Sequence, residues 1–268
     1  MNIQNSCPRP SIDFKKIKGF LFDLDGVFYH GEKPLPYGPE IIKLLKDSQR
    51  KFVAITNNAT HSHDFFSARL QKMNIPFDTS QIINSNDAVV EILRHTTGGC
   101  YIIGSDALKM RLHNAGMYQS DNPKNVVVGW DDSVTLNHLK IGVRHLLNGA
   151  QLIGTNPDPL IPTPTGPEPE NGALIAFLER AAGCTAIIAG KPETTLFNLG
   201  VKHLGLRHDE VIMIGDTLDT DIAGAIKSGL QTVLLTSGSE LPKESKIQAT
   251  IVMSGLQELF EAIRKSDE

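Results

Sequence analysis

The sequence has no basic excess, no long apolar run and too few cysteines to build a covalent framework, and each absence removes a class of function. Lysine and arginine number 26 against 30 aspartates and glutamates, a formal charge of −4. There is therefore no electrostatic footprint for nucleic acid or an anionic membrane, and a phosphorylated ligand must be attracted by local groups. No stretch reaches the roughly 18 apolar residues that a membrane span requires, and Met1–Lys16 has no apolar core of the kind a secretory leader carries. That segment reads as a frayed extension, and the chain as cytoplasmic. Cys7, Cys100 and Cys184 are odd in number and far apart, which favours neither disulfides nor a zinc cluster and suits a reducing compartment. There is no G-x-x-x-x-G-K-S/T loop, no G-x-G-x-x-G after a strand and no H-E-x-x-H helix, so P-loop NTPase, dinucleotide-enzyme and zincin readings have no support.

What is there, over 268 residues, is room for one large or two ordinary domains with a sizeable core. From Ile17 onward short β-type runs alternate with amphipathic helical patterns, the mark of a parallel sheet covered by helices, so the fold class is α/β. Strands are predicted at Phe20–Phe22, Phe52–Ile55, Tyr101–Ile103, Asn125–Val128, Gln151–Ile153, Ala186–Ala189, Val211–Ile214 and Thr232–Leu235. Helices are predicted at Pro39–Ser48, Ser62–Met73, Asp106–Asn114, Leu136–Leu147, Asn171–Arg180 and Gly255–Arg264. The proline-rich stretch Pro157–Pro169 reads as an irregular loop, because proline supplies no N–H to a helix or a central strand.

Four polar groups follow predicted strands: Asp23-Leu24-Asp25-Gly26, Thr56-Asn57-Asn58, Gly190-Lys191-Pro192, and Gly215-Asp216 with Asp219 and Asp221. Ligands bind at the carboxyl edge of open parallel sheets, so a shared edge gathers carboxylates, a hydroxyl and an ammonium in one place. Alone, an acidic turn after a strand is commonplace; it is the coincidence of four that points to a site. Asp23 and Asp216 suit Mg²⁺, which takes oxygen ligands. One carboxylate can attack phosphorus while a second moves the proton of the leaving oxygen, Thr56 and nearby N–H groups can hold phosphoryl oxygens, and Lys191 can offset their charge.

In order and along the whole chain, these groups, with Glu193 and Thr220-Asp221-Ile222, resemble the four motifs of the haloacid dehalogenase superfamily. The segment between the second and third, with Thr155-Asn156-Pro157-Asp158 and Pro169-Glu170-Asn171-Gly172-Ala173, resembles the large α/β cap of the NagD-like phosphatases. The resemblance implies a Rossmann-like parallel-sheet core with helices on both faces (residues 1–86 and 186–268) and an inserted α/β cap domain (87–185). It implies Asp23 as nucleophile and metal ligand, Asp25 as acid/base and metal ligand through its carbonyl, and Thr56 and Asn57 as phosphoryl contacts. Lys191 becomes the charge-balancing group on both carboxylate and phosphate, Asp216 a Mg²⁺ ligand and Asp221 a support of the metal shell. Asn156 and Asp158 become candidates for substrate contact. The second aspartate of the first motif favours phosphoryl transfer over dehalogenation, since a leaving oxygen needs that acid/base.

The expectation is a Mg²⁺-dependent phosphatase acting on a nucleoside monophosphate, a sugar phosphate or a short phospho-acid, with a homodimer through the cap among the possible assemblies. A phosphotransferase to an acceptor other than water and a non-catalytic binding protein on the same scaffold are the competing readings; the four charged residues Asp23, Asp25, Lys191 and Asp216 argue against the second. Ala59-Thr60-His61 stands where relatives often have Ser and then a basic residue, and Asp219 where many have Arg. His61 and His63 lack a third ligand for a metal and read as ordinary histidines, and Trp130 reads either as an aromatic that stacks on a substrate base or ring or as a packed side chain. Asp219 reads as solvated or a helix cap, and His30, Glu32 and Lys33 receive no role.

Overall fold

A computed structural model of the chain describes residues 12–163, 165–237 and 245–268. The N-terminal segment up to residue 11, with Cys7, and Pro164 lie outside the described residues. The chain begins with β1 (Gly19–Phe22), a short hairpin of β2 (Tyr29–His30) and β3 (Lys33–Pro34), α1 (Gly38–Asp47), β4 (Lys51–Thr56), α2 (His63–Lys72), β5 (Ile82–Asn84) and α3 (Ser85–Leu93). A second unit holds β6 (Cys100–Ile103), α4 (Asp106–Asn114), β7 (Asn125–Val128), α5 (Leu136–Leu147), β8 (Gln151–Gly154), β9 (Leu160–Thr163), β10 (Gly166–Pro169), α6 (Asn171–Ala182) and β11 (Ile187–Ile188). The chain closes with α7 (Thr194–Leu204), β12 (Val211–Gly215), α8 (Ala223–Lys227), β13 (Gln231–Leu235), β14 (Ile251–Met253) and α9 (Leu256–Asp267).

Six strands form one parallel sheet in the order β14-β13-β12-β1-β4-β5. The strands are apolar at nearly every position because both faces are covered, and alternate side chains go to opposite layers. Phe20, Phe22, Ala54, Ile212 and Ile214 pack with Ile41, Leu45, Phe66, Leu70, Leu259 and Ile263 of α1, α2 and α9. Leu21, Val53, Ile55, Val211 and Met213 face the other way, against Val89, Leu93, Leu196, Phe197, Val201 and Ala225 of α3, α7 and α8. Each fully buried Leu, Ile or Phe stabilises the fold by roughly 1.5–3 kcal/mol. From β1 the chain winds outward through β4 and β5, then returns to β12 and winds out on the other side, so the strand order reverses between β1 and β12. Such a switch point opens a crevice at the carboxyl edge, and Asp23 and Asp216 stand on its two sides.

The second unit carries a four-stranded parallel sheet in the order β11-β8-β7-β6, with α5 and α6 on one face through Leu139, Leu146, Ile175 and Leu178. Its other face joins the core layer: Cys100, Leu108, Leu112, Val127 and Ile153 belong to the same apolar cluster as Val53 and Val89. Two details differ from the sequence reading. Ile187 and Ile188 pair with Ile153 and Gly154, so the strand preceding Lys191 hydrogen-bonds into the second sheet rather than the core sheet; a short apolar run does not announce which sheet it joins. Pro157–Pro169 is not wholly irregular, since β9 and β10 form an antiparallel hairpin with Pro167 opposite Pro162 and Pro169 opposite Leu160. The prolines occupy alternate registers, leaving the Ile161–Glu168 and Thr163–Gly166 pairs to carry the ladder, and a two-stranded ribbon is all edge.

Candidate active site

Where β1 ends, the Asp23 N–H still donates to the Ile214 carbonyl at 2.9 Å, carrying the ladder one residue further and fixing the aspartate beside β12. The chain then turns at Gly26, whose φ of +79° suits glycine. A Cβ there would lie 2.0 Å from Asp216 Oδ2, so the turn also lets the two aspartates approach. After Asp216 a tight π-type turn, Leu218–Ile222, brings Asp221 back under the strand end. Asp221 Oδ2 accepts from the N–H groups of Asp216 and Thr217, both at 3.2 Å, and its Oδ1 lies 2.7 Å from Lys191 Nζ. Lys191 Nζ also donates to Asp23 Oδ1 at 2.6 Å. Asp23, Asp216 and Asp221 each place a carboxylate oxygen within 4.8 Å of the others.

The electrostatics follow from burial. Lys191 is 3% exposed, Asp23 8% and Asp221 1%, so one ammonium faces three carboxylates in a place where unpaired charge is costly. Burial pushes the Asp23 carboxyl well above the usual carboxylate range, with Asp221 and Asp216 reinforcing it and Lys191 opposing. Asp216 is pushed up to about 6 by burial and by Asp221. Lys191 is held charged by Asp221 and Asp23, which outweigh its own burial. An all-oxygen donor set with surplus negative charge fits a hard divalent cation such as Mg²⁺. Asp221 has both oxygens engaged within the protein, so Asp23 and Asp216 are the carboxylates of the cluster that could ligate such an ion directly.

Asp25 is apart from this cluster. Its side chain is 67% exposed, and Oδ1 lies 3.8 Å from His30 Nδ1; crowding of protein around it raises its pKa against the pull of His30 and Arg69. That leaves it at the mouth of the crevice, and gives His30 a neighbour the sequence did not indicate. Thr56, buried at the end of β4, accepts from the Asn58 N–H at 3.2 Å and retains its hydroxyl hydrogen for an anion. The Asn57 side chain is committed elsewhere: Oδ1 accepts from the Lys191 N–H at 2.7 Å, and Nδ2 donates to the Lys191 carbonyl and to Asp158 Oδ2, both at 3.0 Å. Asn156 Nδ2 donates to the Asn57 carbonyl at 3.2 Å and to Glu170 Oε1 at 3.3 Å. Both candidates from the second unit thus touch the core at Asn57.

The remaining candidates sit as ordinary side chains. His63 pairs with Asp87 at 2.8 Å, His61 stacks on Phe65, Trp130 Nε1 donates to Asp132 Oδ1 at 3.1 Å, and Asp219 is exposed. A cleft of about 460 Å³ near His63, Asp87 and Arg111 holds charges already paired with one another, and is not the site of the strand-end cluster.

Comparison with known proteins decides the family. Residues 20–118 match the model of haloacid dehalogenase-like hydrolases, and residues 188–259 a second model of the same hydrolases. The 5′-nucleotidase YutF of Bacillus subtilis is 31% identical over 227 residues, 84% of this chain and 89% of that protein. The chain belongs to the haloacid dehalogenase-like hydrolases. An acid sugar phosphatase of Staphylococcus epidermidis is 32% identical over 84% of this chain and 88% of its own length. The solved structure of a 4-nitrophenylphosphatase from Thermotoga maritima superposes with a TM-score of 0.88 at 27% identity, covering 94% of this chain and all of that one. Within the family this hydrolase falls in the NagD-like, nitrophenylphosphatase branch, and it is an enzyme of the phosphoric monoester hydrolase class. Among the hydrolase's described residues no helix is long and apolar enough to cross a membrane. Glu170 and Asn171 carry the resemblance in the sequence, and the structure adds their place in the network beside Asn156. Asn171 Nδ2 donates to Thr155 Oγ1 at 3.1 Å and the Asn156 carbonyl at 3.0 Å, and the signal available was two consecutive polar residues capping a helix directly after a proline-rich stretch.

Proposed function

We propose that this hydrolase is a Mg²⁺-dependent phosphatase of small phosphomonoesters that works through an aspartyl phosphate on Asp23. The observation that carries the reading is the Lys191 ammonium 2.6 Å from Asp23 and 2.7 Å from Asp221, beside Asp216, at the switch point of a parallel sheet. Asp23 and Asp216, with the Asp25 carbonyl, are the groups that would hold Mg²⁺, which when bound neutralises charge on the carboxylates and the phosphoryl oxygens. An Asp23 carboxylate oxygen attacks phosphorus as the bond to the leaving oxygen breaks, and Asp25 gives that oxygen its proton. Asp25 then takes a proton from a water whose oxygen attacks phosphorus, and the Asp23–phosphorus bond breaks. Inorganic phosphate leaves, Asp23 is again a carboxylate and Asp25 again holds a proton. Lys191 offsets charge on Asp23 and the phosphoryl group, and Thr56 with the backbone N–H of Asn57 contacts phosphoryl oxygens.

The names of the relatives, a nucleotidase, a sugar phosphatase and an aryl phosphatase, support a small phosphomonoester as the substrate class, with nucleoside monophosphates, sugar phosphates and short phospho-acids as its members. A cytoplasmic setting and a homodimer through the second unit belong to the same reading, the latter checked by sedimentation equilibrium. The deciding experiment is rapid quench of the enzyme with a ³²P-labelled monoester. Label should appear covalently on the protein with Mg²⁺ present and vanish when a chelator is added; turnover that persists undiminished in excess chelator, or never passes through labelled protein at single-turnover times, overturns the proposal.

A further inference from the structure

Resting on that reading of Lys191 as the charge-balancing group, we propose that Asp158 of the second unit is a positioning residue for the catalytic lysine, acting through the Asn57 side chain. Lys191 does not follow a strand of the core sheet. Gly190 is two residues past β11, which pairs in the second sheet, and the N–H groups of Ala189 and Gly190 donate to the carbonyls of Gly154 and Thr155 at 2.9 and 2.8 Å. The backbone that delivers the ammonium to Asp23 is therefore anchored in the second unit, and something must register it against the core. Asn57, at the end of β4, does so by gripping both the N–H and the carbonyl of Lys191.

An amide side chain grips two backbone groups in that way in one orientation only, with oxygen toward the N–H and nitrogen toward the carbonyl. The carboxylate of Asp158, an acceptor 3.0 Å from Asn57 Nδ2, enforces that orientation, since reversal would put the amide oxygen against it. Asp158 is in turn fixed at both backbone ends: its N–H donates to Asn156 Oδ1 at 3.0 Å, and its carbonyl accepts from the Gly172 N–H at 2.8 Å. The fit leaves no slack. A Cβ on Gly190 would lie 2.5 Å from Asn57 Oδ1 and 2.6 Å from the Thr155 carbonyl oxygen, so core, second unit and lysine segment meet in van der Waals contact. The sequence suggested that Asp158 touches substrate; the geometry spends one of its oxygens on Asn57.

The two roles separate in kinetics. Asp158→Ala, Asp158→Asn, Asn57→Ala and the double variant Asn57→Ala/Asp158→Ala would be compared with Mg²⁺ on 4-nitrophenyl phosphate and on a ribonucleoside 5′-monophosphate. A misplaced catalytic group lowers kcat, and a loss of about 10–100-fold is the scale for small displacements. Asp158→Ala should lower kcat by a common factor on both esters with KM within about twofold, as expected when no ground-state contact is removed. Asp158→Asn keeps an acceptor oxygen and should recover most of kcat. The double variant should be no slower than Asn57→Ala alone, because Asp158 acts through Asn57. A KM effect confined to one ester, multiplying losses in the double variant, or no recovery in Asp158→Asn would overturn the proposal. One measurement is independent of turnover: hydrogen exchange of the Lys191 amide, bonded to Asn57, should speed up in Asp158→Ala while the amide of Asp23 does not. If the wild-type enzyme hydrolyses neither ester, the functional reading fails and this arm alone decides the positioning; unchanged exchange at Lys191 overturns it, and it also decides matters should Asn57→Ala not fold.

Discussion

Two carboxyl edges of parallel sheet face each other in this molecule, and they differ in kind. The edge of the six-stranded sheet gathers Asp23, Asp216 and Asp221 around one lysine. That of the four-stranded sheet presents Ser105, Thr155 and Asn156, with Asn171 behind them: hydroxyls and amides whose partners are backbone groups, one another and the Glu170 carboxyl. Ser105 and Asn156 reach across to the carbonyls of Ala59 and Asn57. One edge concentrates unneutralised charge; the other is built mainly of neutral hydrogen bonds, which hold geometry without a large desolvation cost. The same strand-to-loop address serves reaction in one sheet and registration in the other.

The sharpest way to break this contrast is at the charged edge. Asp23→Asn retains the shape and removes the proposed nucleophile, so turnover should fall roughly 10⁴-fold or more, to background, with no covalent label; label trapped on that variant would show that another group attacks. Asp25→Asn should lower kcat by roughly 10²–10⁴-fold, the usual range for a lost acid/base. The loss in the phosphorylation step should be smaller for an aryl than for an alkyl monoester, because an aryl oxygen departs with little protonation. Equal losses under chemistry-limited single turnover would remove Asp25 from the acid role.

Lys191→Met tests whether the charged edge depends on Lys191, the cation paired with Asp23 and Asp221. It leaves Asp23 and Asp221 buried without their cationic partner, and breaking such a pair costs about 3–5 kcal/mol. Urea titration in chelator at neutral pH should show a loss of that order, shrinking as pH falls and Asp23, whose carboxyl is already pushed upward by burial, takes up a proton. Unchanged stability would mean that the Lys191 ion pairs do not hold this edge together.

Much of this was legible in the sequence, for identifiable reasons. The strands of the core sheet are apolar runs ending in polar turns, and Asn125–Val128, Asp106–Asn114 and Leu136–Leu147 coincide with elements of the structure, because Ser105 and Thr135 cap the two helices with their side chains. The clustering of Asp23, Lys191 and Asp216 followed from placing motifs at strand ends. What stayed hidden depended on pairing over distance. The apolar run before Lys191 does not reveal that it joins β8, prolines at alternate registers conceal a hairpin, and nothing local in Thr56-Asn57-Asn58 shows that the asparagine amide is spent on a segment 134 residues away. Asp158 read as a substrate contact for the same reason: its partner lies 101 residues back.

The smallest effect concerns the second edge, where the Glu170 carboxyl is built into the network of amides. Its oxygens accept from the Asn171 N–H at 2.7 Å and from Asn156 Nδ2 at 3.3 Å, yet burial outweighs both and raises its pKa from the ordinary 4.5 to about 7. Between those values the unfolded chain has released the proton that the folded chain still holds. The folded state binds more protons, so Glu170's contribution is fully present below about pH 4.5 and is lost as pH rises through about 7, a total on the order of 3 kcal/mol. Glu170→Gln does not titrate. It keeps an oxygen for one donor and sets an NH₂ against the other, so near pH 5 it should be less stable than wild type by about 1 kcal/mol. As pH rises to 8 the wild type loses its advantage and the two stabilities should cross, read from urea midpoints at each pH. A wild-type-minus-variant difference that stays constant from pH 5 to pH 8 would show that Glu170 ionises like a solvated glutamate, and that the second edge tolerates a full charge as the first does.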